Sequence, residues 1–175
     1  MGRLISILIL WTFVSCGQRS ESTANSNLEN DTIKHADKSL VPFELIVYDS
    51  DYSMAYSLQY VLTENDLRII FKGGLKDEKD STLFKTNLEQ TLTLEKLSNI
   101  NLDSLHDNYR NPCVEDGSQL TVELRKDGKS KAVHLSNYYH EDIGLAIELI
   151  NSLTPSKYKI WYDKTELLED QKNCK

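Results

Sequence analysis

The sequence lacks the short motifs by which many enzyme families are recognised. It contains no glycine-rich phosphate-binding loop, no G-x-S-x-G nucleophile elbow, no C-x-x-C pair and no H-E-x-x-H zinc motif. Each of these motifs places a nucleophile, a metal ligand or a set of backbone amides where a reaction needs them. Their absence predicts a protein that is not an enzyme and that requires neither a cofactor nor a metal.

The chain also lacks an excess of positive charge. Its 20 lysines and arginines face 27 aspartates and glutamates, which gives a formal net charge of −7 and an isoelectric point of about 5.1. A nucleic-acid-binding protein needs a basic surface that neutralises phosphates, and so does a domain that adsorbs to an anionic membrane. The composition therefore predicts no nucleic-acid partner and a solvated acidic surface that is compatible with a basic partner.

Long hydrophobic runs are missing except at the amino terminus. There Arg3 precedes an unbroken apolar run from Leu4 to Val14. The run is too short for a membrane-spanning helix, which needs about 20 apolar residues, but it has the length of the hydrophobic region of a signal peptide. Met1-Gly2 followed by Ser6 also fits a myristoylation pattern, although an apolar run directly behind it indicates secretion instead.

The end of this run, FVSCG with its cysteine at Cys16, resembles the lipobox of bacterial lipoproteins, in which a small residue precedes the cysteine. The resemblance implies that signal peptidase II removes residues 1–15 and that the Cys16 thiol carries diacylglycerol. Phe13 departs from the leucine that is usual at its position. The alternative is cleavage nearby by signal peptidase I, which would leave Cys16 an ordinary residue. The lipobox implies a cell-envelope lipoprotein anchored in the membrane by its lipid, expected on the outer membrane and facing the periplasm or the surface.

Residues 16–39 combine the lipidated cysteine with a segment rich in serine, asparagine, threonine and charge. Such a composition cannot bury enough apolar surface to offset the entropy lost on ordering the chain. We expect a flexible tether with an average reach on the order of 25 Å. The length of the remainder and the absence of an interior linker predict a single domain with a C-terminal tail over residues 40–175.

The dipeptide Asp127-Gly128 predicts a two-residue hairpin turn, because both central positions of a type I′ turn need a positive φ. This register pairs Val122 with Val133, and it places the apolar residues of both strands on one face. A three-residue loop would split those apolar residues between the two faces. An apolar stripe with helical spacing follows over residues 139–153 and predicts a main helix that covers the same face.

Alternating or apolar segments elsewhere predict further strands. Residues 43–48, FELIVY, are apolar on both faces, which is typical of a central strand. The strands predicted outside the main hairpin lie at 43–48, 56–62, 67–71, 83–92 and 158–162. A short helix is expected with Thr93 as its N-terminal cap. Together these elements predict an α+β fold, in which a mainly antiparallel sheet of about five to seven strands is packed by one main helix and a short second helix.

The densest polar stretch of the domain, residues 106–117, predicts a long loop that enters a strand, and binding residues often gather in such loops. Adjacent Glu115 and Asp116 would point to opposite faces of a strand, so they form no acid/base pair there. A loop cluster with Asp107 that holds a cation is the alternative to a plain surface loop. The candidate binding residues of this loop are His106, Asp107, Tyr109, Arg110, Glu115 and Asp116.

Two histidines outside this loop are expected to be structural rather than catalytic. The hairpin register places His134 opposite Thr121 on the polar face of the strand, where an exposed histidine is ordinary. His140 lies in the first turn of the main helix beside two acidic residues, which suit the positive end of the helix dipole. Neither position predicts a metal site.

Three cysteines are present, Cys16, Cys113 and Cys174. If Cys16 is lipidated, an even pair remains in an exported domain, and the oxidising periplasm favours its pairing. The sequence therefore predicts a disulfide between Cys113 and Cys174 that clamps the C-terminal tail onto the polar loop. The alternative is a frayed terminus with Cys174 unpaired.

These features predict a lipid-anchored envelope lipoprotein that acts as a non-catalytic module and binds another protein or an envelope component. A periplasmic immunity or inhibitor protein is an alternative, because a small acidic lipoprotein suits the neutralisation of a basic toxin. An envelope hydrolase that uses His106, Asp107 or Asp116 is the alternative from another class. Convergence of those side chains in one pocket would favour the enzyme, whereas a flat or apolar exposed sheet face would favour binding.

Overall fold

A seven-stranded mixed sheet forms the scaffold of the folded domain. The computed structural model describes residues 40–50 and 56–174, so the predicted signal peptide, the predicted lipidation site Cys16 and the predicted tether lie outside the described residues. In chain order the strands are β1 (Phe43–Ser50), β2 (Tyr56–Thr63), β3 (Asp66–Gly73), β4 (Ser81–Asn87), β5 (Asn108–Arg110), β6 (Gln119–Lys126) and β7 (Lys129–Ser136). Their order across the sheet is β4-β3-β2-β1-β6-β7-β5, and only β5 and β7 run parallel.

The first strand lies at the centre of the sheet, as its two apolar faces predict. β1 pairs antiparallel with both β2 and β6. Leu45 and Val47 on one face are fully buried, and Ile46 on the opposite face is only 6% exposed. Apolar residues at successive positions are typical of a strand whose side chains are buried on both faces.

The main hairpin has the predicted register. Val122 pairs with Val133 between β6 and β7, and both side chains are fully buried. Asp127 and Gly128 form the tip with φ angles of 52° and 74°. Both central residues therefore adopt the left-handed backbone that the two-residue turn requires.

Three α-helices accompany the sheet, α1 (Leu92–Ser98), α2 (Glu141–Leu153) and α3 (Lys164–Asn173), with short 3₁₀ turns at Leu102–Ser104 and Ser156–Tyr158. Each α-helix contributes apolar side chains to one core, in which they meet the inward residues of the strands. That side of the sheet is the inner face. The structure confirms the predicted α+β class with one main helix and a short second helix. No helix in the described part of the chain is both long enough and apolar enough to cross a membrane.

The apolar stripe of α2 packs on the inner face as predicted. Ile143, Ala146, Ile147 and Ile150 are completely buried. In α1, Leu94 and Leu97 are buried too, but the helix is capped by Thr91, whose hydroxyl accepts the Leu94 N–H at 3.2 Å. The prediction that Thr93 caps this helix was therefore wrong by two positions, because Leu92 and Thr93 already lie in the first turn.

The predicted last strand at residues 158–162 was wrong. The alternation is real, since Ile160 and Tyr162 are buried while Trp161 is 63% exposed. However, the side chain of Asn151 accepts the Ile160 N–H at 2.8 Å and donates to the Ile160 carbonyl at 2.9 Å. These two bonds occupy the backbone groups that would otherwise pair with a strand.

The polar tail contains a helix that the sequence analysis did not predict. Asp163 caps α3 by accepting from the N–H groups of Thr165 and Glu166 at 2.8 and 3.0 Å. Leu167, one turn further on, is 5% exposed and joins the core. An N-cap aspartate followed by one buried leucine is a weak signal in a polar segment, so the helix depends on its packing for stability.

Candidate functional site

The predicted binding loop is joined to the C-terminal helix by a disulfide. The sulfurs of Cys113 and Cys174 are 1.98 Å apart, and their Cα atoms are 5.5 Å apart. The predicted pairing is therefore confirmed. Because α3 ends at Asn173, the bond fastens the end of that helix to the loop between β5 and β6.

Tyr109 is half-buried, whereas the other five candidate loop residues are exposed. Its ring lies 4.7 Å from the imidazole of His140, 5.3 Å from the ring of Tyr138 and 5.6 Å from His106, measured between ring centroids. Its hydroxyl accepts the backbone N–H of His106 at 3.0 Å. The aromatic cluster pins β5 against the segment that leads into α2, so Tyr109 has a clear structural role.

His140 is the electrostatically unusual member of this cluster. It precedes the first residue of α2, and its Nδ1 atom is buried without a hydrogen-bond partner. Burial lowers the pKa of its imidazole, against the opposing effect of Asp142 and Glu141. The neutral ring therefore packs as an aromatic group.

The other candidate loop residues do not form a catalytic constellation. Asp107 is exposed and forms an ion pair with Lys131, which lowers the pKa of its carboxyl. His106 and Asp116 are exposed as well. No hydrogen bond or ion pair among the described residues joins any two of the side chains of His106, Asp107 and Asp116.

Backbone contacts hold the distal part of the loop in place. Asn137 is 3% exposed, has a φ of 50° and donates through Nδ2 to the carbonyls of Val114 and Asp116, both at 3.4 Å. These bonds fix the backbone under Glu115 and Asp116 while both side chains stay in solvent. Within residues 40–50 and 56–174, no group of three or more His, Cys, Asp or Glu side chains is placed to hold a metal ion.

The face of the sheet opposite to the helices is a more extensive candidate site, which we call the open face. The cross-strand register arranges the side chains of this face in rows, three of which cross its middle. The first row is Thr63, Glu44, Arg125 and Ser130; the second is Lys85, Arg68, Val61, Ile46, Glu123 and Ala132; the third is Thr82, Ile70, Gln59, Tyr48, Thr121, His134 and Asn108. No helix of the described chain packs on this side.

Glu123 lies at the centre of a hydrogen-bond network on the open face. Arg125 donates to both carboxylate oxygens of Glu123, at 2.8 and 2.9 Å, and to Glu44 at 2.7 Å. The hydroxyls of Tyr48 and Ser130 donate to Glu123 at 2.9 and 2.8 Å. The paired guanidinium and the two hydroxyls lower the pKa of the Glu123 carboxyl to about 2. Burial and the bond to Glu123 raise the pKa of Tyr48.

Sequence analysis did not identify this network. Alternation puts Glu123, two residues after Thr121, on the polar face of its strand, but Tyr48 and Glu123 are separated by 75 positions. Only the pairing of β1 with β6 brings them together. The only sequence signal for the network is that Thr121, Glu123 and Arg125 alternate with buried residues. This alternation shows that one face of β6 is polar, but it does not show which residues contact that face.

A groove lies on the helical side of the molecule, between α1 and α2. Its volume is about 740 Å³, and it is lined by both helices together with Tyr139 and Lys164. Two smaller depressions, of about 290 and 500 Å³, lie beside the tip of the main hairpin and beside the β2–β3 turn. None of these three cavities is lined by His106, Asp107 or Asp116.

Comparison with known proteins places no family name on this architecture. The chain matches no protein-family model, no curated protein and no solved structure.

Proposed function

We propose that this chain is a membrane-anchored, non-catalytic binding protein of the cell envelope, and that a protein partner docks on its open face. The observation that carries the proposal is the distribution of the helices. All three pack on the inner face and leave the other face of the sheet uncovered by any described helix.

The size of the open face suits a specific protein interface. With strands about 4.8 Å apart and a rise of about 3.3 Å per residue, seven strands of up to eight residues span an area on the order of 700 Å². A stable protein–protein interface of standard size buries roughly 800 Å² on each partner. The face is therefore large enough for a protein and too flat to enclose a small molecule.

The chemistry of the face also supports binding. Tyrosine and arginine are enriched among the residues that dominate binding energy, and both are present at its centre. Arg125 and Tyr48 are held by Glu123, so a partner would meet side chains that are already ordered. Less conformational entropy is lost when such groups are preorganised.

The catalytic alternative receives less support from the geometry. A hydrolase would need an acid, a base and a substrate cavity in one place. His106, Asp107 and Asp116 share no hydrogen bond, and none of them lines the groove between α1 and α2. Turnover in a screen of envelope hydrolase substrates that His106→Ala abolishes would contradict the proposal.

Site-specific crosslinking in cells tests the docking surface. A photoreactive amino acid at Lys85 or His134 samples two exposed positions on the open face, whereas Glu169 and Lys172 on α3 provide exposed controls away from it. We expect a defined protein adduct from the two open-face positions only. Equal adducts from all four positions, or none from the open face, would reject this surface.

Membrane anchoring is tested separately at Cys16, outside the described residues. The lipobox resemblance predicts that the expressed protein partitions into the detergent phase and that Cys16→Ala moves it to the aqueous phase. If the alanine variant partitions like the wild type, the lipid anchor at this residue is refuted, whatever the result for the open face.

A further inference from the structure

We propose that the groove between α1 and α2 docks a cationic amphipathic helix of a protein partner. The groove measures about 740 Å³ and is walled by two helices that lie on the inner side of the sheet. Because the open face is on the other side, the two surfaces can be tested independently.

The wall that α1 contributes combines an exposed leucine with polar side chains. Leu94 and Leu97 point into the core. Leu92 precedes Leu94 by two residues, which is about 200° of helical rotation, so it projects away from the core. It is 77% exposed and lines the groove together with Lys96, which follows at i+4.

The wall that α2 contributes has an acidic–apolar–acidic pattern. Glu141, Leu145 and Glu148 line the groove at i, i+4 and i+7, the spacing that places side chains on one face of a helix. The fully buried stripe of α2 faces the sheet instead, and Leu145 is only partly buried. One apolar side chain, Leu145, flanked by carboxylates therefore faces the groove.

Three of the four carboxylates of the groove have no ion-pair partner among the described residues. All four line it against two lysines. Lys164 lies 3.7 Å from Glu148 and 5.1 Å above the ring of Tyr139. Glu95, Glu141 and Asp142 form no ion pair with any described residue.

Helix electrostatics explains only part of this arrangement. Acidic residues in the first turn of a helix are stabilised by the helix dipole, and Glu95, Glu141 and Asp142 all occupy first turns. The dipole does not account for Leu92, a large apolar side chain left in solvent at the same groove. A partner that covers the leucines while its cations meet the carboxylates would satisfy both features.

The occupant that matches is a helix with leucine-like residues on one face and lysine or arginine on either side of them. Amphipathic helices bind hydrophobic grooves in this way through anchors at i, i+4 and i+7. The net charge of −7 on the chain favours the approach of such a cationic segment.

The test uses a fluorescein-labelled 18-residue peptide of lysine and leucine, with all leucines on one helical face. A second peptide has the same composition with the leucines scattered around the helix. Anisotropy is recorded against the full chain in non-ionic detergent, with the signal from detergent alone subtracted. We expect saturable binding of the amphipathic peptide and at least about tenfold weaker binding of the scattered one.

Matched variants separate the groove from general charge attraction. Glu141→Gln with Asp142→Asn should weaken binding about tenfold, whereas Glu169→Gln with Asp170→Asn on α3, an equal change in charge, should weaken it less than about twofold. Leu92→Ser should weaken binding about threefold without affecting the fold, because the side chain is exposed.

Three results would each overturn the inference. They are the absence of saturable binding, equal binding of the two peptides, and equal weakening by the two pairs of charge substitutions. Circular dichroism of each variant establishes that a loss of binding does not come from unfolding.

Discussion

At the scale of single residues, the tip of the main hairpin depends on one backbone position. Gly128 has a φ of 74°, and a Cβ added there would contact no atom within 4 Å. The position is therefore constrained by its backbone conformation alone. A residue that resists positive φ must strain the turn, although nothing blocks its side chain.

We predict that Gly128→Val lowers the free energy of unfolding by roughly 1–3 kcal/mol, because a β-branched residue is forced into the left-handed region. Gly128→Asn is the control. Asparagine tolerates the left-handed region, so this substitution should lower the free energy of unfolding clearly less than Gly128→Val does. The measurement is the urea midpoint of each variant. Equal losses for the two substitutions would show that the turn does not require the left-handed conformation.

The Glu123 carboxylate should make stability depend on acid pH. Its pKa is lowered from 4.5 to about 2 in the folded chain. The folded state therefore gains stability from ionised Glu123 above about pH 4.5, and this contribution disappears as the pH falls towards 2. We predict that Glu123→Gln costs about 1 kcal/mol at pH 7 and that its difference from the wild type narrows towards pH 2.

The measurement is a series of urea unfolding curves between pH 2 and pH 7 for wild type and variant. Glu115→Gln is the control, because Glu115 is exposed and has no ion-pair partner among the described residues. A constant difference between Glu123→Gln and the wild type at every pH would contradict the assigned role of the charged network.

At the scale of secondary-structure elements, α2 carries a glycine that its packing requires. Gly144 is buried in the interior of the helix, and a Cβ there would collide with the ring of Tyr139. That ring stacks on Tyr162 at 5.6 Å between centroids, and its hydroxyl donates to Glu148 at 3.1 Å. Because Tyr162 and Glu148 both hold the ring, it cannot move away without breaking one of these contacts.

We predict that Gly144→Ala destabilises the protein by roughly 1–3 kcal/mol through overpacking. Helix propensity alone would make Gly144→Ala stabilising, since alanine is favoured over glycine by about 1 kcal/mol in a helix interior. In a Tyr139→Leu background the collision is removed, and Gly144→Ala should then be stabilising. The measurement is the thermal unfolding midpoint of the wild type, the two single variants and the double variant. It shows whether Gly144→Ala lowers stability with Tyr139 present and raises it with Leu at position 139.

At the scale of the whole molecule, the disulfide joins elements that the chain separates widely. Cys113 and Cys174 are 61 positions apart, and their bond restrains the terminal helix α3 against the loop before β6. Closing a loop of that length lowers the entropy of the unfolded chain, which is worth roughly 4 kcal/mol on the chain-entropy model. The stabilising effect of the disulfide should be largest in α3, because this helix buries only one leucine and has little other packing to hold it.

We predict that Cys113→Ser with Cys174→Ser lowers the free energy of unfolding by up to about 4 kcal/mol. Amide exchange in α3 should accelerate first, because a helix of 10 residues with little buried surface opens readily once it is released. Reduced wild-type protein is the control and should behave like the double variant. If amide exchange in α3 is as slow in both of these proteins as in the oxidised wild type, the disulfide does not hold that helix in place.

The parts of the fold that follow from local pattern were predictable. Alternation around Asp127-Gly128 determined the register of β6 and β7, and the stripe over residues 139–153 determined which face of α2 is buried. These signals depend on periods of 2 and 3.6 residues and on the chemistry of a single turn. The cysteine pair was also accessible, because lipidation of Cys16 would leave only two thiols.

Of the candidate site, residues 106–117 were predicted as one long loop, but Asn108–Arg110 form β5, which pairs with β7. Tyr109 packs on Tyr138 and His140, which lie in the segment before α2, and the sequence showed no link between them. The alternation at residues 158–162 predicted burial correctly and strand pairing incorrectly, because the side chain of Asn151 had already satisfied that backbone. Alternation reports which side chains are buried, whereas pairing depends on which backbone lies alongside.

By itself, the sequence determined the local geometry of this protein: one hairpin register and the buried stripe of its main helix. Only the tertiary structure decided the surfaces. The Glu123 network requires β1 to pair with β6 across 75 positions, and the groove requires α1 and α2 to lie side by side. Local periodicity specifies which side of an element is apolar. The partner it packs against is selected by the whole chain, because many segments offer an apolar side and only one arrangement buries them all together.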